Sequence, residues 1–312
     1  MLGRVNTQVQ RVVRGWPVIL SSVAALVPIA MLVTVTVVIV KGSLLAIDYV
    51  GFGELFSTHF ASASSGNPPA YGLLGAVWST VMLLAVVMLI AFPVSLAIAV
   101  YASEFPQSFL GRRIREALGV LAGIPPVVYA LVGVLYFSTV FVIPEHSLLT
   151  GGILLALMVI PFMAPLMDDA LQNAPNDLKE ASLGLGASRW YTLRNVTLPA
   201  ALPGIVSAIA LGSLKAIGDV VIVIWAVGYV PFVASPFWDI TAQSAPLPSA
   251  GAGLAGFLAK KGTPPTPGTQ AWLELSAGYF SALMLLVVAM VILCLLTIFQ
   301  WRSKRLQKTS AE

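Results

Sequence analysis

Apolar residues do not alternate along this chain with the short periods of a half-buried strand or an amphipathic helix. They run in long blocks. Stretches of about 18 or more residues with few or no charges occur at Val18–Val40, Tyr71–Tyr101, Leu118–Ile143, Leu148–Met167, Pro203–Val230 and Ala277–Gln300. These blocks predict an all-α integral membrane fold of six transmembrane helices. Pro93 and Pro161 lie inside such blocks; membrane helices tolerate proline where neighbouring groups satisfy the freed carbonyls, so kinks are expected there rather than loops. In the third block, Gly123-Ile124-Pro125-Pro126 would either bend a continuous helix or end a re-entrant segment. The expectation is a continuous helix.

Lys and Arg set the orientation of such a bundle. Arg4, Arg11 and Arg14 precede the first span; Arg112, Arg113 and Arg115 separate the second from the third; Lys179, Arg189 and Arg194 separate the fourth from the fifth; Arg302, Lys304, Arg305 and Lys308 follow the sixth. The opposite side holds Lys41, Lys260 and Lys261. Thirteen basic residues against three predict that both termini are cytoplasmic. Arg14 before an apolar run also fits a secretory signal, but the run is too long for one and no clear small-residue cleavage site follows. The segments assigned outside, Ser62–Ala70 and Ala242–Gln270, are rich in Gly, Pro and Ser and read as loops. Gly251–Gly256 formally matches GxGxxG, yet it follows no strand, so a flexible loop is the better account.

Composition narrows the chemistry. Of 312 residues, 58% are hydrophobic and 10% charged, and the mean hydropathy is +0.92, values that one anchor on a soluble body would not reach. A net charge of +4 follows from the basic cytoplasmic loops and does not call for nucleic acid. The single Cys294 and two separated histidines, His59 and His146, leave no Cys- or His-based metal site. Nucleotide-binding, metalloprotease and hydrolase motifs are absent from the sequence, so this chain is expected to be no enzyme and to bind no cofactor. Asp168, Asp169, Glu104 and Glu116 flank spans and are expected to be solvated.

The most informative segment is Asn176–Pro199. Asp177 and Glu180 suggest a capping-box start after Pro175. Gly184 and Gly186 allow a turn, Ser188 is placed to cap a second short helix, and Pro199 with Pro203 is expected to end it. The product is a helix–turn–helix elbow at the membrane surface. Leu183, Leu185, Trp190, Tyr191 and Leu193 are its apolar anchors, suited to a partner's groove.

Glu180-Ala181-Ser182, then Gly186, then Val196-Thr197-Leu198-Pro199 resembles the EAA loop of binding-protein-dependent ABC import permeases, with Ser182 and Val196 as small departures. Ala91–Glu104 resembles the end of the second span of such permeases. Ala122–Tyr129 (AGIPPVVY) resembles a stretch of the phosphate branch, with Pro126 in place of Ser. The similarity covers about residues 71–230. It implies the type I importer permease fold, and it implies that Glu180, Ala181, Ser182, Gly186, Arg189, Trp190, Leu198 and Pro199 couple to a separate ATPase, which holds ATP-Mg. It further implies a second permease subunit, giving a heterodimer, two ATPase subunits and an extracytoplasmic binding protein, in a bacterial or archaeal cytoplasmic membrane. The chain then divides into residues 1–70 (tail, first span and outer loop), a permease core at 71–300 with a coupling loop at 168–200 and an outer loop at 231–276, and a tail at 301–312.

Lys215 and Asp219 lie within the fifth span, where an unpaired charge costs several kcal/mol. At i,i+4 they would share a face of a continuous helix, with Lys215 pointing into the bundle. Gly204, Ala208, Gly212 and Ala216 form a small-residue ridge that lets another helix approach. A structural Lys–Asp pair and a cation on an anion path are both open on residue grounds. Lys215–Asp219 resembles the Arg-Ala-Ile-Gly-Glu stretch of phosphate permeases, which favours the anion path, although Lys lacks the planar fork that grips phosphate. The expected function is therefore a permease subunit for inorganic phosphate or another oxyanion such as molybdate, tungstate or sulfate. An ion-coupled carrier using Asp219 leaves the elbow unexplained, and a membrane enzyme using Asp168 and Asp169 lacks a metal or nucleophile motif.

Overall fold

The computed structural model describes residues 2–57, 60–61, 70–140, 146–227, 247 and 270–309. Both predicted outer loops fall almost wholly outside these residues. The order of helices is α1 (Leu2–Val50), α2 (Phe52–Leu55), α3 (Leu74–Glu104), α4 (Phe109–Ala122), α5 (Pro126–Val140), α6 (Leu148–Gln172), α7 (Asn176–Gly184), α8 (Arg189–Thr192), α9 (Leu198–Gly218), α10 (Val220–Ile222) and α11 (Gln270–Thr309). A two-residue antiparallel pair, Phe60–Ala61 with Ala70–Tyr71, is the sheet among the described residues. Among the described residues, five helices are long and apolar enough to cross a membrane, and the α4–α5 pair makes six if counted as one span.

Helices α3, α6 and α9 build the core. Val87 and Ala91 of α3 meet Leu155, Val159 and Met163 of α6, all fully buried. The expected ridge on α9 faces α6: a side chain at Gly204 would collide with Ala170, and one at Gly212 would meet Met163 Sδ at 2.9 Å. Small residues thus set how closely these two helices approach. Helices α3, α6 and α9 pass through Pro93, Pro161, Pro165 and Pro203 without ending. Ser147 Oγ accepts from Thr150 N at 3.1 Å to cap α6, and Ser147 N donates to Ala226 O at 3.2 Å.

The first and last long helices form a second, smaller cluster. Ala46 and Leu55 pack with Ala277 and Phe280, and Ser43 Oγ donates to Tyr279 O at 3.0 Å. Gly42 lies under the Tyr279 ring with no room for a side chain. At the other end of α11, Gln300 Nε2 donates to Ser207 Oγ of α9 at 2.6 Å. The helix predicted to stop at Val40 continues to Val50, because Lys41 to Tyr49 holds no proline and its inward residues have α11 to pack against.

Two predicted continuities fail. The third block is two helices, α4 and α5, meeting at 97°. Pro125 disfavours helical backbone at Ile124 and Pro126 starts α5 at its first position, so the chain turns a corner at Gly123–Pro125. Ser108 Oγ caps α4 by accepting from Gly111 N at 2.9 Å. The fifth block begins earlier than expected, since the helix runs from Arg189 through a π-helical turn at Leu193–Thr197 into α9. Pro199 therefore stands within this run, just after the π-helical turn that accommodates its missing N–H, and terminates no helix. The same block ends at Gly218, followed by α10 and a second π-helical turn at Val223–Val227.

Candidate functional site

The elbow between α6 and α9 consists of α7, a tight turn and α8. Gly186 has φ +87°, a left-handed conformation that a β-branched side chain would strain; Gly184, by contrast, is the last helical residue of α7. Ser188 Oγ accepts from Tyr191 N at 3.2 Å and caps α8 as expected. The capping box does not form: Pro175 occupies the cap position of α7 and no side chain bonds there, because a proline cap brings no acceptor side chain. Ser182 Oγ and Thr192 Oγ1, 2.9 Å apart, hold α7 against α8.

This framework presents apolar surface outwards. Leu185 is 90% exposed, Trp190 68% and Tyr191 58%. Leu183 is exposed beside them, whereas Leu193 is 3% exposed and belongs to the body of the chain. Glu180, Ala181, Arg189 and Pro199 are exposed and Leu198 is half-buried against the core. The residues named from the sequence thus split: Glu180, Ala181, Gly186, Arg189 and Trp190 share the outward elbow, while Leu198 and Pro199 begin the inward-running helix.

Lys215 and Asp219 are separated by the end of α9. Asp219 adopts extended backbone (φ −85°, ψ 101°) and its carboxylate accepts from Ile222 N at 2.8 Å, capping α10. The two residues therefore do not share a helical face, and the ion pairs among the described residues do not include them. Nor does Lys215 point into the bundle. Gly212 and Ala216 are buried, whereas Lys215 is exposed and lays its Nζ over the Phe162 ring of α6, 5.2 Å from the centroid, a favourable cation–π geometry.

Two ion pairs at the elbow end were not foreseen. Arg115 Nε of α4 donates to Asp168 Oδ2 at 2.9 Å, its Nη2 donates to Ala102 O at 2.8 Å, and Gln172 Nε2 donates to Asp168 Oδ1 at 2.8 Å. Lys179 Nζ of α7 donates to Glu104 Oε1 of α3 at 2.7 Å. Asp168 and Glu104, expected to be solvated, are 9% and 10% exposed as side chains. Their partners lie 53 and 75 residues away, a separation with no periodic signature.

Residues 91–308 match the family model for the binding-protein-dependent transport system inner membrane component. The chain belongs to that family. A probable ABC transporter permease protein, YqgH of Bacillus subtilis, is 31% identical over 235 residues, spanning 72% of this chain and 74% of that protein. The phosphate transport system permease protein PstC of Haemophilus influenzae is 28% identical, spanning 65% and 71%. PstA 1 of Mycobacterium tuberculosis, also a phosphate transport system permease protein, is 31% identical over 67% and 66%. Among solved structures, a chain of the inward-facing MetNI methionine ABC transporter superposes with a TM-score of 0.56 at 20% identity, over 74% of this chain and 95% of that one. The fold is that of a type I ABC importer permease. This chain is a multi-pass membrane component of a binding-protein-dependent ABC importer, in a family whose ATPase is a separate subunit.

Proposed function

We propose that this chain is one of two paired permease subunits of an importer for inorganic phosphate. The observation that carries the proposal is the elbow: Leu185, Trp190 and Tyr191 lie exposed on a turn fixed by Gly186 and two serine hydroxyls. A monomer gains nothing by holding such a surface in water; a cleft in an ATPase that binds ATP-Mg buries it. Glu180, Ala181, Ser182, Gly186, Arg189 and Trp190 form or support this contact, with Leu198 and Pro199 carrying it into the membrane.

The phosphate assignment is supported by relatives named as phosphate permeases and by an exposed cation, Lys215, on the membrane helix that packs centrally. In the assembled importer, the exposed face of α9 lines the path between the two permeases. Lys215 there attracts a tetrahedral anion, and Asp219 fixes the backbone that follows. A substrate-binding protein delivers the anion from outside, and closure of the ATPase subunits switches access as rigid bodies move.

Binding-protein-dependent uptake into reconstituted vesicles tests the substrate. Phosphate is expected to be accumulated in preference to sulfate, molybdate and tungstate. Because Lys is a compact point charge rather than a planar fork, preferential uptake of one of the other oxyanions reassigns the substrate and keeps the path. The basic asymmetry supports cytoplasmic termini and an outer loop at 231–276. With Cys294 replaced, cysteines at Ser249 and Ser310 are expected to react oppositely with an impermeant thiol reagent in intact cells; equal labelling rejects the six-span orientation.

A further inference from the structure

The elbow is joined by the chain to two core helices, α6 through Asn173–Pro175 and α9 through the π-helical turn at Leu193–Thr197. It has no chain connection to α3, the third core helix, whose last residue is Glu104. The structure assigns Lys179 and Glu104 as the positioning pair that links α7 directly to the end of α3, so that movement of α7 reaches α3 there as well as through the packing of α3 on α6. This inference rests on the coupling role proposed above.

Three observations carry it. First, α7 has no buried residue, so apolar packing does not fasten it to the bundle and its polar contacts must. Second, Lys179 Nζ meets Glu104 Oε1 at 2.7 Å in a half-sheltered site, with the glutamate side chain 10% exposed; a short charge-assisted bond there is directional and resists separation. Third, a cavity of about 230 Å³ lies behind α7, lined in part by Ser103, Gln172, Lys179 and Thr197. Thr197 Oγ1 is buried there without a hydrogen-bond partner. The elbow thus has space to move towards the body, while one ion pair ties it to the neighbour of Ser103. Arg115 extends the tie, since it holds Ala102 O of α3, two residues before Glu104, and Asp168 of α6 together.

The test uses the complete importer, with its ATPase and binding protein, in vesicles, and reads anion taken up per ATP hydrolysed. Lys179→Met and Glu104→Gln are each expected to lower that ratio about tenfold, the scale of an ordinary coupling free energy, with the ATPase still co-purifying. Lys179→Arg is expected to keep the ratio, and the swap Lys179→Glu with Glu104→Lys to restore it to within about twofold. Single variants with the parent ratio overturn the assignment. So does a swap that restores nothing, including the case in which the single variants fail to assemble. Failure of the underlying coupling role is separately visible: a cysteine at Trp190 would then give no crosslink to the ATPase even in the unaltered Lys179–Glu104 background.

Discussion

Helix α6 and the elbow that follows it are adjacent in sequence and opposite in construction. Two-thirds of the most apolar stretch of α6 is buried inside the chain, against α3 on one side and the glycines of α9 on the other. Helix α7 buries nothing, and the largest apolar side chains of the elbow face outwards. Hydropathy alone does not separate these two uses of apolar surface. What separates them is the residue between the large side chains: glycine and alanine where helices must meet closely, and serine caps with a left-handed glycine where a surface must be held in place for something else.

The largest effect is expected where the first device is overfilled. Gly212→Leu drives a side chain into Met163 and Val159, and overpacking of this kind costs about 1–3 kcal/mol or more. The yield of folded permease should fall sharply in detergent extracts; normal yield and melting temperature would show that α6 and α9 are not closely packed. A change on the exposed face of the same helix should spare the fold and remove function. Lys215→Gln is expected to lower uptake by about a hundredfold, the scale of losing one hydrogen bond to a charged group at about 1.5–3 kcal/mol, with assembly intact. Lys215→Arg should retain much of the activity. Equal uptake by parent and Lys215→Gln would strike Lys215 from the anion path. The third change sharpens the elbow side of the contrast. Trp190→Ala should weaken ATPase association about thirtyfold, a typical cost for an aromatic anchor at an interface, and leave the melting temperature of the isolated permease unchanged. A drop in that temperature would mean that Trp190 is packed within the chain after all.

The two devices also explain what was legible from sequence. Uninterrupted apolar length announced the spans, and the ridge at Gly204, Ala208, Gly212 and Ala216 announced that another helix approaches α9, though not which one, because both are written in consecutive turns of one helix. The elbow was legible through Gly186 and Ser188, whose conformational roles are local. The breaks were misjudged at Pro125–Pro126 and at Asp219, where a short run of residues decides between bending and ending a helix and hydropathy is indifferent to the choice. Pro199 misled in the opposite sense, since a proline that a helix passes by way of a π-helical turn and one just beyond a helix end look alike in sequence. The ion pairs of Glu104 and Asp168 were invisible because tertiary packing, not spacing, brings their partners to them.

One consequence follows from the single helical run between Arg189 and Gly218. Apart from one π-helical turn, the elbow's outermost arginine and Lys215 stand on the same shaft, separated by about 39 Å at 1.5 Å per residue. The shaft is a lever. With one end held, a tilt of about 10° would displace the other by roughly 7 Å on that length. Gly212, three residues before Lys215, is seated against Met163 and Val159 of α6, so a tilt of the shaft that moves the positive charge has to carry α6 with it.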